Sequence, residues 1–88
     1  MRSHASGGVT TLTRFFEGAT GKYHSHPGGE ELFVISGRLR VGSVELSAGD
    51  YLYTPPGAGH GVFAHEDSLL LLVLPSMPDY SVSSPDGA

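Results

Sequence analysis

A chain of 88 residues with a formal net charge of −4 is long enough for one domain with a modest core, and such a domain gains from a bound metal or a second copy. It contains no cysteine, which excludes disulfides, thiolate–zinc knuckles, iron–sulfur clusters and thiol nucleophiles. Its five Lys and Arg are scattered and form no basic stripe for a nucleic acid, and its longest apolar run, 69–74, falls far short of the ~20 residues a membrane helix needs.

Along the chain, 1–8 is polar and Gly-containing, lacks the apolar stretch of a leader peptide, and is expected to be a flexible start carrying His4. Together with the missing cysteines this suits a cytoplasmic protein. Thirteen glycines and six prolines then punctuate short segments rich in Val, Leu, Ile, Phe, Tyr and Thr. Segments 9–16, 23–26, 31–36, 38–41, 44–46, 51–54, 61–64 and 69–74 are predicted strands. Turns are predicted at Ser36-Gly37, Val41-Gly42-Ser43, Ala48-Gly49-Asp50 and Pro55-Pro56-Gly57. No helical period is sustained. Eight short, regularly spaced strands predict an all-β fold, a small antiparallel β-barrel or jelly-roll sandwich. It would occupy 9–75, with 76–88 a tail that is flexible or packed on a partner.

Two segments are apolar on both faces. In 31–36, Leu32 and Val34 share one face while Phe33 and Ile35 share the other, and 69–74 is apolar throughout. A strand with one wet face alternates instead. Both segments need cover on their outer side, and a second subunit supplies it, so a homodimer is expected.

The chemistry lies in His24-Ser25-His26. Side chains two apart on a strand share a face, so both imidazoles can converge on one ion. Pro27-Gly28-Gly29 turns the chain so that Glu30 can reach the same point, while Glu31, of opposite parity, faces solvent or an interface. Imidazole and carboxylate donors suit Zn, Fe, Mn, Ni or Cu. Tyr51 and Tyr53, with Phe16, Val62 and Leu72, are candidates to line a pocket, although aromatic packing explains the tyrosines equally well. Lys22 and Arg38 are expected to point outward, and His65, beside Glu66 and Asp67, to be solvated.

Two longer patterns extend this. Gly18, five residues, His24-x-His26, three residues, Glu30, six residues, Gly37 is the first. Gly49, five residues, Pro55-x-Gly57, two residues, His60 is the second. Together they resemble the two conserved motifs of the cupin superfamily. The strings HSHPGGEELFVISG and SAGDYLYTPPGAGH look most like the cupin domain of ChrR-type anti-sigma factors and their stand-alone relatives. The resemblance implies a cupin barrel holding one divalent metal through His24, His26, Glu30 and His60, with zinc the first expectation and iron, manganese or nickel the alternatives. The motif's closing Asn is here Ala64, which is not a ligand position. The helical sigma-binding domain of the anti-sigma factors has no counterpart in these residues.

Four protein ligands leave one or two positions open on an ion that accepts five or six, so a small molecule can bind there. Two readings follow: a metal-dependent ligand-binding or sensing module, and a metal-dependent cupin enzyme, a dioxygenase or isomerase acting on a small organic substrate. No catalytic side chain is assigned for either. Metal affinity should fall below pH 6.5, the ordinary imidazole value, because the ligands must be neutral.

Overall fold

The computed structural model describes residues 1–82. Among them are nine strands and no helix: β1 (Arg2–Ser3), β2 (Val9–Phe15), β3 (Thr20–Ser25), β4 (Glu30–Ser36), β5 (Arg38–Val41), β6 (Val44–Ser47), β7 (Tyr51–Thr54), β8 (Gly59–Ala64) and β9 (Ser68–Leu74). All pairings are antiparallel, in a five-stranded sheet of order β1-β2-β9-β4-β7 and a four-stranded sheet of order β3-β8-β5-β6. This is the expected all-β architecture. No helix among the described residues is long and apolar enough to cross a membrane.

Side-chain alternation builds the core from both sheets. Leu32, Val34 and Leu70 come from the five-stranded sheet, Leu39, Val41 and Leu46 from the four-stranded one, and Phe15, Leu52, Val62 and Leu72 pack against them. β9 lies between β2 and β4. Leu70 and Leu74 are buried inward, while Leu69, Leu71 and Val73 face outward and are half-buried.

The outer face of that sheet is apolar and open. Leu12, Leu71, Phe33 and Tyr51 form one row across four strands, each directly opposite the next. Leu12 is 62 % exposed, Phe33 40 %, Ile35 42 %, Tyr51 55 % and Tyr53 54 %. This corrects the placement of Tyr51 and Tyr53 as pocket candidates. Pairing sets Tyr51 opposite Phe33 and Tyr53 opposite Glu31, and partners directly across a ladder share a face. Tyr51 donates its hydroxyl to Glu31 Oε1 at 2.8 Å, on the outside. Phe16 is also exposed. Val62 and Leu72 do face inward.

The start of the chain differs from the expected loose segment, because Arg2 and Ser3 pair with Thr10 and Val9 as β1, and His4 Nε2 lies 2.7 Å from Thr10 Oγ1. At the other end, 77–82 crosses to the second sheet, where Asp79 bridges Ser25. Residues 83–88 of the predicted tail lie outside the described residues.

Candidate metal centre

β3 carries the first ligand candidate, and an irregularity aims it. The register of β3 on β8 shifts by one residue between Gly21, opposite Val62, and His24, opposite His60. An extra residue of this kind interrupts the ladder and re-aims side chains. The Lys22 carbonyl at the interruption accepts a hydrogen bond from His24 Nδ1 at 2.7 Å. That bond selects the tautomer with the proton on Nδ1 and leaves the Nε2 lone pair free. His60 stands directly across the ladder from His24. Gly59, its neighbour, has to be glycine, since a Cβ there would lie 2.5 Å from the Tyr23 hydroxyl and 2.9 Å from the His24 carbonyl.

His26 follows β3, and its carbonyl accepts from Gly29 N at 3.0 Å and Gly57 N at 2.8 Å, which fixes the turn that delivers Glu30. Gly29 adopts φ +80°, and a Cβ on it would sit 2.9 Å from the Thr54 carbonyl. An L side chain in that conformation costs about 1–2 kcal/mol before any clash. Gly29→Ala should therefore lower stability by at least that amount, read as a reduced midpoint in thermal or urea unfolding. An unchanged midpoint would show that the turn does not depend on Gly29.

Three of the four side chains predicted from sequence cluster mutually, and Glu30 approaches two of them. His24, His26 and His60 each offer a ring nitrogen, all within 4.8 Å of one another, and their ring centroids lie 4.6, 4.9 and 4.8 Å apart. His26 Nε2 and His60 Nε2 are 3.1 Å apart. Glu30 Oε1 lies 3.5 Å from each of them. All four residues are buried. Two donors about 2.1 Å from one ion lie about 3.0 Å apart at a right angle and about 3.4 Å apart at a tetrahedral angle, so these separations fit a shared ion. Glu30 Oε1 has no hydrogen-bond partner, and neither does His26 Nδ1. An unpartnered buried carboxylate oxygen facing imidazole nitrogens is a donor set that suits a cation. Three buried histidines that can hold a metal are thus present.

Without a cation the site resists charge. Burial, reinforced by its neighbour His24, lowers His26 to about 4. Burial lowers His60 to about 4 as well, with His24 and His26 adding to the effect. Burial raises Glu30 to about 7. His26 and His60 stay neutral down to about pH 4, so below pH 7 an incoming cation also has to displace the proton on Glu30. Divalent-metal affinity should therefore drop at least about tenfold per pH unit between 7 and 5, with at least one proton released per ion. Isothermal titration in buffers of different ionisation enthalpy measures both. Affinity that is level across that range would contradict it.

Elsewhere the sequence was partly right. Lys22 and Arg38 are exposed. His65 is not simply solvated: its Nε2 lies 2.8 Å from Glu45 Oε2 and its ring meets Phe63 edge-on. Ala64 is fully buried, and its N–H and carbonyl bond Ala19 and Gly18, so the chain closes there through backbone alone. Sequence reasoning missed Tyr80, whose ring lies on His24 with centroids 5.0 Å apart, because nothing in a Pro- and Ser-rich tail marks a return to β3.

The ChrR cupin-like domain family matches residues 1–76. A curated relative, the DNA damage-repair/toleration protein DRT102 of Arabidopsis thaliana, is 37 % identical over 66 residues, 68 % of this chain and 21 % of that protein. Among solved structures, an acetylacetone dioxygenase from Acinetobacter johnsonii superposes with a TM-score of 0.85 at 19 % identity, over 100 % of this chain and 63 % of its own. A protein of unknown function with a cupin-like fold from Ralstonia eutropha gives 0.79 at 23 %, over 96 % and 55 %. The DMSP lyase DddQ from Ruegeria pomeroyi gives 0.68 at 20 %, over 88 % and 44 %. At these identities the structural likeness is one of fold. The chain spans about a fifth of the curated relative and less than two thirds of each of these structures.

Proposed function

The chain belongs to the ChrR cupin-like family, and from that membership we propose that it is a small metal-binding module in which His24, His26, Glu30 and His60 hold one divalent ion, zinc in the first instance. The observation that carries this is the buried, unpartnered Glu30 Oε1 set 3.5 Å from both His26 Nε2 and His60 Nε2. Each residue has its own task. His24 is oriented by the Lys22 carbonyl, Glu30 supplies the negative charge that a dication needs, and the imidazoles of His26 and His60 stay uncharged at neutral pH. A bound divalent ion with positions left open supplies Lewis acidity toward a small organic ligand. We assign the module to ligand binding or sensing, acting in a homodimer joined through the open face of the five-stranded sheet.

The test is metal analysis of the full chain as purified, followed by equilibrium dialysis against Zn(II), Fe(II), Mn(II) and Ni(II). One equivalent of tightly bound metal per chain is expected. Failure to retain any of the four would overturn the proposal. Turnover of small organic substrates by the loaded chain, lost on chelation, would place it among metal-dependent enzymes instead.

A further inference from the structure

Beyond β9 the described residues, 75–82, stay against the fold. Pro75 and Ser76 pass close against Gly28, where a Cβ would lie 2.6 Å from Ser76 Oγ. The next residues reach the free edge of β3, the outermost strand of the four-stranded sheet. There Ser25 N donates to the Asp79 carbonyl at 2.9 Å and Asp79 N donates to the Ser25 carbonyl at 2.8 Å. The Asp79 carboxylate accepts from Ser81 N at 2.8 Å and Ser81 Oγ at 2.6 Å, which turns the chain around Tyr80. The Tyr80 ring then rests on the His24 ring, tilted 41° with centroids 5.0 Å apart. Ser25 lies between the two histidines of the HxH pair, so the bridge is anchored on the segment that carries them.

We propose that 77–82 is a strap over the candidate metal centre and that Tyr80 is its latch, covering His24 and setting how fast metal enters and leaves. This rests on the metal-binding reading above, but on separate observations. The strap follows residue 76, where the family match ends, so the shared domain does not account for it. It is also attached differently from the barrel. Among the described residues, two backbone hydrogen bonds and one ring contact join it to β3, Met77 and Tyr80 are 60 % and 50 % exposed, and none of its residues belongs to the core cluster. A segment held this lightly opens locally without global unfolding. A cation on His24 would polarise the imidazole and strengthen its attraction to the electron-rich face of Tyr80, so the latch should close more firmly on the loaded site. Tyr80 is thus a positioning residue that acts through His24.

The experiment compares the full chain with Tyr80→Phe, Tyr80→Ala and Asp79→Pro, the last removing the N–H that bonds Ser25. Each protein is loaded with Co(II) and mixed with excess EDTA, and release is followed by the visible spectrum. Tyr80→Ala and Asp79→Pro should release Co(II) roughly tenfold faster or more, and Tyr80→Phe, which keeps the ring, should match the parent. Release from Tyr80→Ala at the parental rate would overturn the proposal. A second arm needs no metal: carbethoxylation of His24 by diethyl pyrocarbonate, mapped by mass spectrometry, should be slow in the parent and in Tyr80→Phe, and faster in the other two. Equal rates in all four would likewise overturn it. A parent that takes up no Co(II) would reject the metal-binding reading, while the modification arm still decides whether Tyr80 covers His24.

Discussion

A chain carrying alanine at His60 should take up no stoichiometric divalent metal and should melt at the same temperature with and without added ion. His60 is the ligand candidate supplied by β8. It stands directly opposite His24 and is placed symmetrically with His26 about Glu30 Oε1. Removing it leaves Glu30 one cationic-site neighbour fewer and opens a gap in the triangle of imidazoles. The parent should respond strongly. Free metal at a hundred times its dissociation constant adds about 2.7 kcal/mol to the stability of any protein that binds it only when folded, which for a domain this small corresponds to a rise of about 10–20 °C in Tm. Glu30→Gln keeps the shape and removes the charge, and should show a smaller rise than the parent. Differential scanning calorimetry with metal analysis of the recovered protein measures both quantities. Full occupancy of His60→Ala would rule out the four-ligand assignment.

Phe33→Asp should convert the protein from a species of twice 9.2 kDa to a monomer in light scattering at micromolar concentration, with metal uptake retained. The open face presents three half-exposed aromatic rings, each leaving on the order of 100 Å² uncovered. With Leu12 and Ile35 this comes to roughly 500 Å² per copy, near the largest apolar patch a monomer ordinarily tolerates and enough for a specific pair at about 1,000 Å² in total. The face is also suited to a copy of itself. Arg14 lies in the row on one side of the Leu12–Leu71–Phe33–Tyr51 row and Glu31 in the row on the other. A two-fold axis along the central row therefore brings the row that holds Arg14 in one copy over the row that holds Glu31 in its partner, an isologous arrangement. A carboxylate at position 33 would sit unpaired at the centre of that contact. A parent that scatters as a 9.2 kDa monomer would end this proposal.

How far the sequence could be read depended on the range of the information needed. The strand segments and the inward set of Leu32, Val34 and Glu30 follow from alternation along one strand, and the structure has them so. The placements of Tyr51, Tyr53 and Tyr80 were not legible, for one shared reason. Whether Tyr51 and Tyr53 face in or out depends on their register against β4, 20-odd residues earlier. The contact of Tyr80 with His24 joins residues 56 apart through a two-residue bridge that no local pattern announces. Pairing partners are chosen by the whole fold, and a slip of one residue exchanges faces.

Glu30 and Glu31 are consecutive, yet one closes the candidate metal centre and the other accepts the Tyr51 hydroxyl on the outer face. A single peptide unit of β4 thus separates the proposed ion site on one side from the face proposed to meet a second copy on the other. Any influence of one on the other must run in both directions with the same coupling free energy. If metal tightens the pair by some factor, pairing tightens metal by that factor, and the apparent affinity for the ion becomes a function of protein concentration.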